Sequence, residues 1–190
     1  EESLQLAPLR LDSLANLLEL NGVDLEGSDA GIQRLNEWFL ANVAPDRDVP
    51  GALSREWYSV AHDIALFLGN VMIERDENLR WALFVWGKSN VAFHRGVIVG
   101  LSSEDPKLRT NIDIDRMVTS YAHQTVQYRG SIPTWGTVII RGVDVDVDEV
   151  ASRHRDQPTS DSFLQWLGIA ARRGTPRSGE VGPRPVSAEE

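Results

Sequence analysis

The sequence predicts an α+β fold, with N-terminal helices packed on a small antiparallel sheet and further helices after a hairpin and at the C-terminus. In the N-terminal part, apolar residues recur every three or four positions, which indicates amphipathic helices. Two apolar runs rich in β-branched and aromatic residues follow, separated by a Gly/Asn loop, which is typical of a hairpin. We expect one domain over residues 1–172 and a flexible Gly-, Pro- and Ser-rich tail over 173–190.

The first two helices are predicted from caps and breakers. Asp12 or Ser13 is expected to cap the first helix, which would end at residues 21–22, an Asn-Gly pair. The second helix would begin near Ser28, a favourable cap, and would end before Pro45 because proline cannot continue a helix. Both helices are therefore expected to be short and to bury one apolar stripe.

The third helix has the broadest apolar face and is expected to start after a Ser54 cap. A face of this width predicts a central helix that is covered on more than one side. Gly69 lies inside it, where glycine costs about 1 kcal/mol against alanine, so we expect another part of the chain to approach closely there.

The hairpin is predicted from residues 80–86, a loop at 87–90, and a second run at 91–94 and 97–99. The first strand is apolar on both faces, and such strands are usually covered on both. Either helices cover both faces of the sheet, or one face is an interface with another molecule.

Later elements are predicted from one cap and one β-rich run. Asp113 is expected to cap a helix near 114–126, and residues 137–140 are expected to form a strand of the same antiparallel sheet, which would extend from about 80 to 142. A last helix is expected over residues 160–170.

Composition excludes several function classes. The 190 residues include 19 Lys and Arg against 28 Asp and Glu, a formal charge of -9, which is the wrong sign for a nucleic-acid-binding protein. Cysteine is absent, so disulfides, thiolate metal sites and Cys nucleophiles are excluded, and a reducing, cytoplasmic location is expected. No apolar run is long enough for a membrane span, so no membrane association is predicted. Because the chain starts at Glu1 and not at Met, we expect that a segment preceding it was cut away or left out.

Catalytic and cofactor motifs are absent. The sequence has no GxSxG elbow, no GxxxxGK[ST] loop, no GxGxxG after a strand and no HExxH pair. These absences favour a non-enzymatic role, and no cofactor is predicted.

Alternating aspartates begin like a calcium loop at Asp144, Asp146 and Asp148. The match then fails, because Glu149 stands where a sharp turn needs Gly and Arg155 stands where a bidentate Glu is required. The same alternation is typical of a half-buried strand with one polar face.

His62 and Asp63 resemble the metal-binding dipeptide of HD-type phosphohydrolases. Those enzymes need a histidine earlier in the chain, and His62 is the first of four. Neighbouring residues of a helix also point about 100° apart, so the pair would not share one small ion. We expect His62 to be partly buried and hydrogen-bonded.

Two of the six tryptophans are candidates for a contact surface. Trp86 at the hairpin tip and Trp135 in a Pro/Gly loop are less easily buried than the others, which lie on apolar stripes. His94 and Arg95 are expected near the same tip. The acidic balance favours a partner with a basic patch.

Residues 57–127 resemble a family of small uncharacterised bacterial α+β domains. The residues that carry the resemblance are the helix segment 63–71 (DIALFLGNV), Trp81 at the start of the following strand, the hairpin, and a closing helix near 115–126. Domains of this shape occur beside toxins as immunity-type proteins. The resemblance implies helices packed on a small antiparallel sheet and no particular reaction.

These observations favour a protein-binding module that neutralises or recruits a partner protein. An alternative is a metal-assisted hydrolase or transferase that uses an aspartate cluster with a histidine. A third possibility is a homo-oligomer whose second sheet face is buried by its own copy. The candidate metal ligands of the alternative are Asp113, Asp115, Asp144, Asp146 and Asp148.

Overall fold

A computed structural model describes residues 6–49, 51–85, 94–102, 111–129, 137–140, 143–146 and 158–174 of the chain. Its described part contains five helices and two antiparallel hairpins, which confirms the predicted α+β class. In chain order the elements are α1 (Ala7–Glu19), α2 (Asp29–Asn42), α3 (Arg55–Arg75), β1 (Arg80–Leu83), β2 (Gly96–Val99), α4 (Ile114–Arg129), β3 (Thr137–Ile140), β4 (Val143–Asp146) and α5 (Ser162–Gly174).

The predicted start of α1 was wrong. The helix begins at Ala7, and the expected caps Asp12 and Ser13 lie inside it. Pro8 lies in the first turn, where its fixed φ suits a helix and its missing N–H would have had no partner. The helix ends at Glu19, two residues before the predicted Asn-Gly pair, and Gly22 of that pair adopts the left-handed region at φ +72° in the turn that follows.

The predicted cap of α2 and the central position of α3 are confirmed. The Ser28 hydroxyl accepts a hydrogen bond from the backbone N–H of Gly31 at 3.1 Å. Helix α3 packs against α1, α4 and α5, so it is covered on several sides. Gly69 lies against the Trp81 ring, and a β-carbon at this position would overlap that ring. The absence of a side chain thus allows β1 to pack closely on α3.

The first hairpin pairs β1 with β2, and Trp81 lies opposite Ile98. Strand β2 begins at Gly96, and the backbone of Phe84 also pairs with His94 and Arg95; the predicted start of the second run, at 91–93, lies outside the described residues. On the sheet face opposite Trp81, Val97 is completely buried and Phe84 almost completely buried by other parts of the chain. The chain therefore covers that face at these two residues without a second copy.

The predicted single sheet from 80 to 142 was wrong. Strand β3 pairs with β4 in a separate two-stranded sheet. On the first sheet, Ile98 of β2 exchanges two backbone hydrogen bonds of 2.9 Å with Ile112, so the segment before α4 takes the place beside β2. Residues 143–146 of the Val/Asp run form a strand, as predicted, and the burial of its side chains lies outside what the structure describes.

The helices α2, α4 and α5 meet around a buried amide. Asn36 donates to the Tyr121 hydroxyl at 3.1 Å and accepts from the backbone N–H of Phe163 at 3.0 Å. Both Asn36 hydrogen bonds form inside the core, where an unpaired amide would cost about 1–3 kcal/mol. Helix α5 continues to Gly174, two residues past the predicted domain boundary, and residues 175–190 lie outside the described part.

Candidate functional site

The structure describes two of the four residues that the sequence analysis assigned to partner binding. His94 is exposed and adopts a left-handed conformation, with φ +63°, in the turn before β2. The neighbouring Arg95 is partly buried and its side chain reaches the start of α4. Trp86 and Trp135 lie outside the described residues.

Arg95 joins two of the predicted metal ligands. Asp113 caps α4, because its Oδ1 accepts the backbone N–H of Arg116 at 3.0 Å. The other oxygen, Oδ2, lies 3.5 Å from Nε of Arg95, and Nη2 of the same guanidinium donates to Oδ2 of Asp115. One guanidinium thus provides the counter-charge for two carboxylates.

His62 reaches the second carboxylate from α3. Its Nδ1 lies 2.9 Å from Oδ1 of Asp115, and since an ionised carboxylate can only accept, Nδ1–H is the donor. This confirms the expectation of a partly buried, hydrogen-bonded His62. We refer to the four side chains His62, Arg95, Asp113 and Asp115 as the ionic cluster. It connects α3, the segment before β2 and the first turn of α4.

The environment of Asp115 keeps its carboxyl group ionised. Burial acts to raise the pKa of Asp115, but the hydrogen bond from His62 and the charges of His62 and Arg95 outweigh burial and lower the pKa below its ordinary value. The side chain of Asp115 is 28% exposed and that of Asp113 only 12%. Asp115 is therefore a charged group with partners inside the protein.

The two residues of the His-Asp dipeptide have different partners. Whereas His62 bonds to Asp115, Asp63 pairs with Nε of Arg10 from α1 at 2.5 Å. Burial raises the pKa of Asp63, and the Arg10 charge opposes this rise only in part. The dipeptide thus connects α3 to two different helices, α4 and α1.

No three His, Asp or Glu side chains in the described ranges are grouped so that they could hold a metal ion. Of the residues in the metal hypothesis, Asp144 and Asp146 belong to β4, whose side chains are not described, and Asp148 lies outside the described residues. Asp113 and Asp115 do come together, and the cation between them is the guanidinium of Arg95.

A second acidic region lies where α1 ends, α2 begins and α3 ends. Arg75 near the end of α3 donates to the carbonyl of Gly27 at 2.6 Å and pairs with Asp29 at 2.8 Å, which connects the end of α3 to the start of α2 and to the loop that follows α1. We call this region the acidic end. It comprises the exposed residues Glu19, Asp24, Glu26, Asp29, Glu74 and Glu77.

Most carboxylates of the acidic end have no cationic partner. Arg75 pairs with Asp29, and Arg34 pairs with Glu26 at 2.6 Å. The other four form no ion pair within the part of the chain that the structure describes. Leu20, beside Glu19, is 87% exposed. The region therefore combines unpaired negative charge with a protruding apolar side chain.

Two of these carboxylates are placed where they weaken their own helices. Glu19 lies in the last turn of α1 and Glu74 in the last turn of α3. A negative charge at a helix C-terminus is unfavourable by about 0.3–1 kcal/mol because the helix dipole is negative there. Stability of the fold does not explain their presence at these two positions.

Sequence reasoning missed both regions for different reasons. The ionic cluster joins residues up to 53 positions apart, so their meeting is a property of the fold. The acidic end had a signal that could have been found by counting. Residues 1–79 contain 15 acidic and five basic side chains, whereas residues 80–190 contain 13 and 14. The whole negative excess therefore belongs to the part of the chain that forms α1–α3.

No protein-family model, curated protein or solved structure matches the chain, and the resemblance to small bacterial α+β domains stays a prediction. None of the helices within the described ranges has both the length and the apolar character that a bilayer span requires.

Proposed function

We propose that this chain is a protein-binding module whose acidic end takes a basic surface of another protein. The observation that carries the proposal is the distribution of charge. Residues 1–79, the part of the chain that forms α1–α3, contain the whole negative excess, and four of the six exposed carboxylates of the acidic end lack cationic partners among the described residues.

The chemistry of the partner follows from this surface. Unpaired carboxylates attract a surface rich in Lys and Arg and increase the association rate at low salt. Leu20 supplies the apolar contact around which such a charged rim commonly forms. The partner surface is therefore basic, with an apolar recess for one leucine.

The proposed surface differs from the one expected at the hairpin tip. Arg95 is occupied with Asp113 and Asp115, so its charge is balanced inside the chain. A contribution of Trp86, His94 and Trp135 to binding remains a proposal of its own.

Affinity capture with matched variants tests whether the acidic end binds a basic protein. The triple variant Glu19→Gln, Asp24→Asn, Glu74→Gln neutralises the acidic end. A control triple, Asp12→Asn, Glu37→Gln, Asp48→Asn, removes the same charge from exposed positions elsewhere. We expect a basic protein to be retained from the native cell by the wild type and the control triple, and lost by the acidic-end triple. Equal retention by both triples would contradict the proposal.

A pair of leucine variants tests the apolar contact. Leu20→Ser should weaken capture, whereas Leu9→Ser should not, because Leu9 is 65% exposed near the start of the same helix, distant from the acidic end. Light scattering on the wild type tests the homo-oligomer alternative. If the chain forms a stable oligomer that Leu20→Ser dissociates, the partner is a second copy and the basic-partner proposal fails.

The metal-assisted hydrolase or transferase is the alternative proposal, and His62 contacts one of its candidate ligands, Asp115, although the described residues contain no group of three side chains placed to hold a metal ion. A metal would have to replace the guanidinium of Arg95. Calorimetric titration of the wild type and of Arg95→Gln with calcium, magnesium, manganese and zinc tests this candidate. Stoichiometric binding that Asp115→Asn abolishes would favour the enzyme over the binding module.

A further inference from the structure

A groove of about 630 Å³ lies between α4 and α5, at a different place from the acidic end. On each helix the lining residues recur every three or four positions, so one face of each helix forms a wall. These walls include Arg116, Met117 and Ser120 on α4, and Trp166, Ile169 and Arg173 on α5.

The positive charge of the groove has no internal partner. Arg116 and Arg173 are both exposed, and neither guanidinium forms an ion pair within the described part of the chain. The acidic residue in the lining is Asp113, whose charge already faces Arg95 and whose Oδ1 accepts the Arg116 backbone N–H. The groove is thus locally positive in a protein with a formal charge of -9.

The apolar wall of the groove is preformed. The Trp166 ring packs on Tyr121 and Phe163, with ring centroids 5.7 and 5.4 Å apart. Met117 and Ile169 extend this wall. A volume near 630 Å³ lies within the range of about 300–1,000 Å³ that small-molecule sites occupy. The net negative charge of the chain disfavours a long polyanion.

We propose that this groove binds a small organic acid whose carboxylate pairs with Arg116 and Arg173 while its ring or branched chain lies on Trp166. Guanidinium groups favour carboxylates because they present two parallel N–H donors. The inference does not rest on the acidic end or on the proposed function, because it uses other residues and another ligand class.

Phenylacetate serves as the probe, because it joins one carboxylate to one ring. The measurement follows the Trp166 indole N–H signal of the full chain in ¹H–¹⁵N spectra, assigned with Trp166→Phe. We expect a saturable shift with a Kd of about millimolar size, as is normal for a ligand this small. Phenylacetamide, which lacks the charge, and acetate, which lacks the ring, should each bind at least about fivefold more weakly.

Arginine variants locate the carboxylate. Arg116→Gln and Arg173→Gln should each weaken phenylacetate binding about fivefold or more. Arg172→Gln is the matched control, because Arg172 lies at the same helix end but does not line the groove. Circular dichroism of each variant confirms that it is folded.

Three outcomes would overturn the inference. They are the absence of a saturable Trp166 shift, equal binding of phenylacetate and phenylacetamide, and a loss with Arg172→Gln as large as that with Arg173→Gln. A fourth arm uses phenyl phosphate. Binding of phenyl phosphate without binding of phenylacetate would contradict a carboxylate ligand.

Discussion

The ionic cluster and the acidic end are both rich in carboxylates, yet their surroundings differ. In the cluster, Asp113 and Asp115 share the guanidinium of Arg95, and Asp115 also accepts from His62. At the acidic end, two arginines serve six exposed carboxylates.

This difference separates carboxylates that hold the fold together from those that face outward. A paired carboxylate connects segments of its own chain, and removing its partner leaves a partly buried charge. An unpaired exposed carboxylate contributes little to folding and remains available to a second molecule. Counting acidic residues alone would not have distinguished the two regions.

The largest loss of stability is expected from a packing defect in the core. Gly69→Ala should lower the free energy of unfolding by about 3 kcal/mol, because the new methyl group overlaps the Trp81 ring. Gly168→Ala, at a glycine inside α5, should raise it by about 0.5–1 kcal/mol, since its β-carbon meets only the flexible end of Arg172. Urea unfolding of both variants measures this. A stable Gly69→Ala would contradict the close packing of β1 on α3.

Arg95→Gln tests the cluster by removing its shared cation. We expect a loss of about 2 kcal/mol, because two partly buried carboxylates then lose the guanidinium that they share. Arg34→Gln breaks the exposed pair with Glu26 and should change stability by less than about 0.5 kcal/mol. Equal effects in urea unfolding would remove the distinction between the two regions.

The pH dependence of stability tests the charge on Asp115. The pKa of Asp115 is lower in the folded than in the unfolded chain. Its contribution to the free energy of unfolding is therefore complete above the unfolded pKa of about 3.9 and is lost as pH falls through the folded pKa. The stability advantage of the wild type over Asp115→Asn should therefore shrink as the solution is acidified below about pH 5.

Asp63 provides a control, because its effect on the pH dependence of stability has the opposite sign. Because its pKa is raised in the folded chain, protonation favours folding, and the wild type should gain stability relative to Asp63→Asn as pH falls. Unfolding measurements on the wild type and both variants, from neutral pH to pH 3, test these two opposite trends. Parallel trends for the two aspartates would show that the assigned environments are wrong.

A small stabilising effect is expected for the acidic-end triple variant, Glu19→Gln, Asp24→Asn, Glu74→Gln. It should stabilise the chain by about 0.5 kcal/mol at low salt, because two negative charges leave helix C-termini. The gain should decrease as salt screens the remaining charges. A clear loss of stability, measured by thermal unfolding at two salt concentrations, would mean that these carboxylates support the fold.

Local signals predicted much of the fold. The Ser28 and Asp113 caps, the apolar face of α3 and the close approach at Gly69 each depend on a few neighbouring residues, and the structure confirms them. The start of α1 was missed because Pro8 was not considered as a first-turn residue. The division of the sheet could not be predicted, since it depends on Ile112 pairing with Ile98 across the fold.

The candidate site was less predictable than the fold. Asp113, Asp115 and Arg95 were selected from the sequence, but for separate roles, as metal ligands and as a partner contact. Their ion pairs with one another depend on how β2 and α4 pack. The acidic end was missed because the charge was considered for the whole chain and not by segment.

Carboxyl labelling tests the central distinction most directly. The native protein is treated at neutral pH with a carbodiimide and an amine, and the modified residues are identified by peptide mass spectrometry. We expect Glu19, Asp24 and Glu74 to be labelled rapidly, and Asp113 and Asp115 to be protected until the chain unfolds. Comparable labelling rates in the two regions would contradict the account.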